Sequence, residues 1–299
     1  MTTARSTILC LLLSLPALAA AKAYPDPAAA ADALVAAARS GDVQAVVRVL
    51  GEKSRSFLVS GDAVADRAAL NRFVELYDKS HSLGEPDPGT RTLIIGPDPW
   101  PFPVPMVKGN AGWTFDPKAG EAEILKRRIG QNELDAIEVC IGYVGAQKDY
   151  LERNPEGASV PHYADRLLSS SGKHDGLYWQ SAPGEPESPM GPAVGGAIRQ
   201  GYTLKKGPNA PYHGYHFRLL TAQGPHAEGG AQDYREGGKL TRGFALVAYP
   251  ATYEKSGVMT FLVNQSGVVL EKDLGAKTGK IAGAMKAFDP DETWKPATP

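Results

Sequence analysis

The stretch that decides the fold is ELDAIEVCIGYVGAQKDYLE, residues 133–152. Its apolar residues return every three or four positions, which is the spacing of one face of an α-helix. The expected stripe is Leu134, Ile137, Ile141 and Val144, widened by Ala136, Val139, Cys140, Tyr143 and Ala146. A stripe this wide predicts a long helix that is buried on more than one side.

Two helices are expected around Gly130. Asp116 and Pro117 supply a cap and a first-turn proline for a helix that runs to about Arg128. Gly130 interrupts that helix, and Asn132 then caps the long one.

Shorter elements are predicted nearer the amino terminus. A first helix ends at Gly41, Asp42 caps a second, and a third covers residues 67–80. Residues 91–96, which are rich in Leu and Ile, predict a strand, and residues 113–115 a short return strand after a turn.

Residues 99–106, PWPFPVPM, alternate proline with large apolar side chains. Alternate residues of an extended chain share an edge, so the four prolines remove hydrogen-bond donors along one edge only. We expect an extended edge segment, paired on one side at most, with its apolar face buried. The alternative is a polyproline-type segment that is offered to a partner.

The chain after the long helix changes from loop to strand. Residues 154–211 are dense in Gly, Pro and Ser and predict long ordered loop, including residues 182–192, with one helical piece at residues 163–168. Strands are expected at residues 213–220, 244–249, 259–264 and 268–272, with a hairpin turn at 265–267 and a last helix at 280–288. The pattern predicts an α+β protein divided into residues 24–117 and 118–299.

The first 23 residues predict an export signal. They contain Arg5, an apolar run over residues 8–21 and the triplet AKA at residues 21–23. The run is too short to span a bilayer, and Pro16 interrupts it. We therefore expect a secreted, periplasmic protein whose mature chain begins near Tyr24 and keeps no transmembrane anchor.

The charge balance argues against nucleic acid as a partner. The chain has 32 Lys and Arg against 33 Asp and Glu. Removal of residues 1–23 takes away Arg5 and Lys22, which leaves 30 against 33 and a net charge of −3. A slightly acidic chain without a basic cluster lacks the positive footprint that phosphate binding needs.

Cys140 is the cysteine that remains after the signal, because Cys10 lies within it. A single cysteine cannot form an intramolecular disulfide. Its place among apolar helix positions predicts an inert, buried side chain. The alternatives are a nucleophile or an intermolecular disulfide.

A cluster of possible metal ligands lies in the last third of the chain: His213, His216, His226, Glu228 and Asp233. His213 and His216 are three positions apart in a predicted strand and therefore point to opposite faces. No His pair at helical spacing and no Cys pair supports zinc, so we expect no metal and no cofactor.

Two short motifs match those of penicillin-recognising enzymes, SSGK at residues 170–173 and KTG at residues 277–279. In those enzymes the serine opens a helix and the KTG lies on a strand. Ser170 here follows a predicted helix and Lys277 begins one, so we interpret both matches as accidental.

An acid–base pocket is a further hypothesis for the amino-terminal part. Asp62, Asp66 and Tyr77 are its candidates, because a carboxylate near an apolar cavity can take a shifted pKa. The alternative is that Asp62 and Asp66 are loop and capping residues.

Long and specific stretches of residues 31–295 resemble a bacterial secreted family catalogued as domain of unknown function family 2950. The stretches are residues 127–134, 176–179, 184–189, 212–215, 221–225, and 243–245 running to 267–268. The family has no established activity, so the resemblance implies membership without implying a reaction.

A second resemblance concerns architecture. Residues 31–115 are similar to the first half of nuclear-transport-factor-2-like cone domains, with helices followed by strands that end in GWTF. The remainder resembles the globular part of pilins, with a long helix, a loop-rich region and an antiparallel meander. The resemblance implies a pilin-like module without the lipid-embedded half-helix of true pilins.

These observations favour a non-catalytic binding or assembly module of the cell envelope. Its expected partner is an envelope protein or a cell-wall component, contacted through aromatic and proline-rich loops that include residues 186–192. The candidate binding residues are Trp100, Tyr178, Trp179, Tyr212 and Tyr215. The alternative is a periplasmic enzyme of hydrolase or acid–base type, with a pocket in the amino-terminal part or at its junction with the remainder.

Overall fold

A computed structural model describes residues 22–182, 184–202 and 210–298. The predicted export signal lies almost entirely outside these residues. Helices and antiparallel sheets both contribute, which confirms the α+β class. No helix within the described ranges is long and apolar enough to cross a membrane.

Four helices open the described chain, and aspartates cap three of them. They are α1 (Pro27–Arg39), α2 (Val43–Leu50), α3 (Arg55–Leu58) and α4 (Ala63–Lys79). The side chains of Asp26, Asp42 and Asp62 accept hydrogen bonds from the first backbone N–H groups of α1, α2 and α4. Helix α4 starts four residues earlier than predicted because Asp62 is its cap.

A five-stranded antiparallel sheet follows. Its strands are β1 (His81–Gly84), β2 (Thr90–Ile95), β3 (Trp100–Pro101), β4 (Met106–Gly109) and β5 (Gly112–Phe115), in the order β1-β2-β4-β5 with β3 also paired to β2. The first part of the proline-rich segment is extended and paired on one side: Trp100 pairs with Ile95, and the Phe102 N–H donates to the Leu93 carbonyl. The prediction is wrong for the rest, because Pro103 and Val104 form a bend and Met106 pairs with both β2 and β5. Val104 and Met106 are fully buried in the core that this sheet shares with α1–α4, here called the N-terminal core.

The predicted break at Gly130 is wrong. A single helix of 37 residues, α5, runs from Pro117 to Arg153. A helical glycine costs only about 1 kcal/mol, and the backbone continues through Gly130. Asn132 does not cap a helix, because its side-chain amide donates to the carbonyl of Ser256. Glu133 likewise accepts from the N–H groups of Val258 and Met259, so the middle of α5 is tied to a later strand.

The buried stripe of α5 also differs from the predicted one. Leu134 and Ile141 are 42% and 53% exposed. The buried positions in the second half of α5 are Ala136, Ile137, Cys140, Tyr143, Val144, Ala146, Gln147 and Tyr150. The apolar spacing therefore predicts that this segment is helical, but it does not predict which side of the helix is buried.

Backbone hydrogen bonds to other parts of the chain fix the segment after α5. Residues 163–168 are extended and not helical, because Tyr163 bonds the Leu240 carbonyl and Leu168 pairs with Tyr178. A helix that the sequence analysis missed, α6 (Gly191–Arg199), follows within the predicted loop. Its composition, with three glycines and a proline, is typical of loop rather than helix.

The carboxy-terminal part contains a second five-stranded antiparallel sheet. Among the residues that the structure describes, this part of the chain has nine strands, of which five form the sheet. In chain order they are β6 (Tyr215–Leu220), β7 (Ala222–Gln223), β8 (Gln232–Asp233), β9 (Arg235–Glu236), β10 (Lys239–Leu240), β11 (Ala245–Pro250), β12 (Met259–Asn264), β13 (Leu270–Asp273) and β14 (Lys295–Pro296). The sheet order is β14-β13-β12-β11-β6, and β7–β8 and β9–β10 form small separate pairs. The hairpin turn at residues 265–267 is confirmed.

Helices cover both faces of this second sheet. Alternate β11 residues face opposite sides: Leu246 and Ala248 pack in a core with α5, and Ala245 and Val247 in a core with α7 (Thr278–Ala284). Helix α7 ends earlier than predicted because the Phe288 N–H bonds the Ala222 carbonyl. We call the core on the α5 side the central core.

Candidate functional site

A large cleft lies between α5, α6 and β6. Its volume is about 1220 Å³, and its lining is mostly apolar, with side chains that include Val139, Leu168, Met190, Val194, Ile198 and Phe217. Ligand pockets for small molecules usually have about 300–1,000 Å³ and this apolar character. The cleft is therefore large enough to enclose an elongated apolar molecule.

The cleft lining includes a close carboxylate–imidazole pair. The Nδ1 atom of His213 lies 2.6 Å from Oδ2 of Asp135, and both side chains are about four-fifths buried. Burial works to raise the pKa of Asp135, but hydrogen bonds from His213 and Gln131 outweigh it and hold that pKa below its usual range. Asp135 is therefore ionised at neutral pH, and His213 Nδ1–H donates to it.

The backbone at His213 takes an unusual conformation. Its φ is +49°, in the left-handed region that few residues other than glycine adopt. The prediction that His213 belongs to a strand is therefore wrong, since β6 begins two residues later. Strained backbone of this kind persists only where surrounding contacts fix it, and it clusters at functional sites.

A buried hydrogen-bond network supplies those contacts. The Tyr202 hydroxyl donates to Oδ2 of Asp62 at 2.9 Å and accepts from the His213 N–H at 3.1 Å. The same Asp62 oxygen accepts from the N–H of Gly214 at 3.1 Å. Asp62 thus both caps α4 and fixes the backbone on either side of the His213 peptide.

Two arginines of the cleft lining are engaged by other groups, and a third is exposed. Arg166 pairs with Asp165 at 3.2 Å and with Asp175 at 3.5 Å. The Arg218 side chain turns away to the other face of the sheet, where it donates to the carbonyls of Ala282 and Met285. Arg235 is exposed at the rim.

The structure separates the predicted binding residues. Tyr212 lines the cleft, with its ring edge-on to His213 at 4.2 Å. Trp179 stacks on His174 at 4.4 Å, Tyr178 pairs through its backbone with Leu168, and Trp100 lies beneath the Arg127 guanidinium at 4.6 Å. Tyr178, Trp179 and Trp100 are half-buried, and their role in binding stays a prediction.

Tyr215 does not belong to any accessible surface. Its ring is completely buried in the central core, and its hydroxyl donates to the Met259 carbonyl at 3.0 Å. A ring without exposed surface cannot contact a partner, so we leave Tyr215 out of the candidate site.

The predicted acid–base candidates do not form one pocket. Tyr77 stacks on His81 and donates a long hydrogen bond to Asp32. Asp66 accepts hydrogen bonds from the N–H and hydroxyl of Ser60, and burial raises its pKa. Asp62 is the member of this set that reaches the cleft region, through Tyr202.

The remaining polar candidates are dispersed. His226 forms an exposed pair with Asp289, and His216 packs against Tyr249. Within the described ranges, no group of three His, Cys, Asp or Glu side chains is placed to hold a metal ion. Cys140 is fully buried, and desolvation raises the pKa of its thiol to about 12.

A smaller polar niche of about 210 Å³ lies near the end of α5 and is lined by Glu156, His162, Asp165, Arg166, Lys173 and Lys239. Glu156 accepts from the Tyr150 hydroxyl at 2.8 Å and pairs with Lys239 at 3.0 Å. His162 lies 3.3 Å from Glu156 without hydrogen-bond geometry. Most charged side chains of this niche are therefore already paired with each other, as Lys239 is with Glu156 and Arg166 is with Asp165.

No pattern in the sequence predicts the pairing of Asp135 with His213, which are 78 residues apart. The sequence gives one local signal, because a histidine followed by glycine in the stretch YHGY favours a turn. Asp135 is not a position of the predicted apolar stripe, and no neighbouring residue in the sequence points to His213 as its partner.

The fold and the site define a mixed α+β protein with a large apolar cleft whose lining includes a carboxylate–imidazole pair. The model of a protein family of unknown function, DUF2950, matches residues 21–297, so the chain belongs to this family. No curated protein and no solved structure matches the chain.

Proposed function

We propose that this chain is an exported binding protein that holds an acyl chain with an uncharged polar head in the α5–α6–β6 cleft. The single observation that carries the proposal is the cleft, with its size and mostly apolar lining. Burial of each methylene group contributes about 0.8 kcal/mol, so a long chain suits these walls.

The charges of the cleft lining support an uncharged head. Asp135 and Glu138 line the cleft together with His213, and these carboxylates would repel an anionic head. Arg166, which also lines the cleft, is already paired with two carboxylates. His213 and Tyr212 offer hydrogen-bonding groups to an ester or a hydroxyl.

Export belongs to the same proposal. The predicted amino-terminal signal supports export from the cytoplasm, to where the lipids of the cell envelope would be the source of such acyl compounds. Mass spectrometry of the protein from a periplasmic fraction should give a chain that begins near Tyr24. A chain that starts at Met1 in the cytoplasm would contradict export.

Titration calorimetry with 1-O-dodecylglycerol, an ether that cannot be hydrolysed, tests the binding function. We expect saturable binding by residues 24–299, and about tenfold or more weaker binding by Val194→Trp, which fills the cleft. The matched control is Val268→Trp, because Val268 is an exposed valine near the hairpin turn. It should bind as the wild type does.

Two results would overturn the proposal. One is the absence of binding by the wild-type chain. The other is equal loss of affinity in Val194→Trp and Val268→Trp, which would place binding elsewhere. Tighter binding of laurate than of the ether would reject the uncharged head.

A further inference from the structure

We propose that Asp135 and His213 act together as a general base that hydrolyses an acyl ester bound in the cleft. This inference rests on the proposed function, since the cleft must first hold the acyl chain. It adds a reaction to a site that was inferred above as a binding site.

The geometry orients one nitrogen of His213 for proton transfer. Nδ1–H donates to the Asp135 carboxylate at 2.6 Å, so the lone pair of the neutral ring lies on Nε2. A histidine whose tautomer and ring orientation are fixed by a carboxylate is the base of many hydrolytic sites. His213 and Asp135 both line the cleft.

The surroundings hold this base in place. Tyr212 packs edge-on to the imidazole at 4.2 Å, and Tyr202 lies roughly parallel to it at 5.9 Å. Asp62 and Tyr202 are positioning residues, because they bond the backbone of His213 and Gly214 and do not contact the reacting atoms. Preorganisation of this kind is what a general base requires.

Water is the nucleophile in this reaction. The described residues that line the cleft include no Ser, Thr or Cys. His213 Nε2 takes a proton from a water molecule while the water oxygen bonds to the ester carbonyl carbon. The bond from that carbon to the alkoxy oxygen then breaks, and His213 returns the proton to the leaving oxygen. The products are a carboxylic acid and an alcohol, and no oxidant or reductant is involved.

Hydrolysis of 1-monolauroylglycerol by residues 24–299 tests the inference. We expect release of laurate, with one oxygen atom from the solvent when the reaction runs in ¹⁸O-labelled water. His213→Gln should lower the rate roughly 100-fold, and Asp135→Asn should also lower it strongly. Both variants keep the apolar walls of the cleft and lose at most one hydrogen bond to the head, so they should bind 1-O-dodecylglycerol within about tenfold of the wild-type affinity.

The matched control is His226→Gln, which removes the histidine of an exposed Asp–His pair that is not part of the cleft lining. Its rate should equal that of the wild type. Circular dichroism reports whether each variant folds, and Asp135→Asn provides the test if His213→Gln does not fold.

The outcomes separate the two proposals. Binding of the ether without release of laurate would overturn the proposal that Asp135 and His213 act as a general base, and would leave the binding function intact. Equal rates of hydrolysis by His213→Gln and the wild type would also overturn the general-base proposal. A chain that binds no ether rejects the proposed function and the hydrolysis together.

Discussion

The carboxylate of Asp62 accepts a hydrogen bond from the hydroxyl of Tyr202, 140 residues further along the chain. Asp62 is 3% exposed and also caps helix α4. One side chain therefore caps the first turn of a helix in the N-terminal core and also fixes the backbone beside the cleft. Its removal should affect both.

Asp62→Ala is expected to lower the free energy of unfolding by roughly 3 kcal/mol. About 1 kcal/mol comes from the lost cap, and the rest from the partly buried Tyr202 hydroxyl and the buried Gly214 N–H, which lose their acceptor. Urea denaturation measures the change. Asp42→Ala is the control, because Asp42 caps α2 at the surface and its loss should cost only about 1 kcal/mol. Equal losses in both variants would contradict the role of the Tyr202 bond.

Gly112→Ala should destabilise the protein more than Gly237→Ala. Both glycines have positive φ, at +122° and +59°. A Cβ on Gly112 would lie 2.4 Å from the Tyr24 carbonyl oxygen, whereas one on Gly237 would meet nothing within 4 Å. We expect a loss of roughly 3 kcal/mol at Gly112 and about 1 kcal/mol at Gly237, from thermal or urea unfolding. A smaller loss at Gly112 would show that the Tyr24 segment moves freely.

The Asp135–His213 pair should make stability depend on pH in the acid range. The pKa of Asp135 is lowered in the folded protein, so its contribution is complete above the unfolded value, near 3.9, and is lost as the pH falls through the folded value. The difference in unfolding free energy between wild type and Asp135→Asn should therefore be larger at pH 7 than at pH 3. A difference that does not change with pH would argue against the ionised pair.

Cys140 should be unreactive in the folded protein. Its thiol is buried and its pKa is raised to about 12, so almost no thiolate is present at pH 8. Ellman's reagent should label the chain only after unfolding in urea. Rapid labelling of the native protein would show that α5 opens locally, and would revive the alternative of a reactive cysteine.

Local patterns in the sequence were sufficient for elements whose signals are near in the chain. Asp42 and Asp116 were recognised as caps because the N–H groups they bind are two residues away. The strand at residues 259–264 was predicted with its observed bounds, since a run of apolar residues ends at a turn with Gly267. Such signals depend only on neighbouring residues.

Contacts between residues that are far apart in the sequence could not be predicted in this way. Asn132 has the composition of a cap, but Ser256, which is 124 residues away, takes its side chain. Tyr163 belongs to a segment with helical spacing, and its pairing with Leu240 makes the segment extended. The cleft depends on the placement of α6, whose glycine-rich sequence is typical of loop. Tertiary contacts thus decided the role of Asn132 and the extended conformation of residues 163–168.

The continuity of α5 has a consequence for cooperativity. At 1.5 Å per residue the helix is about 55 Å long. Its first turns pack on the N-terminal core, where Gly120 lets the Pro103 carbonyl approach, and its last turns lie in the central core. Helical hydrogen bonds form cooperatively, so fraying that starts in one core removes support from the other. Both cores therefore depend on the same helix, and we expect them to unfold together on heating, in a single calorimetric transition.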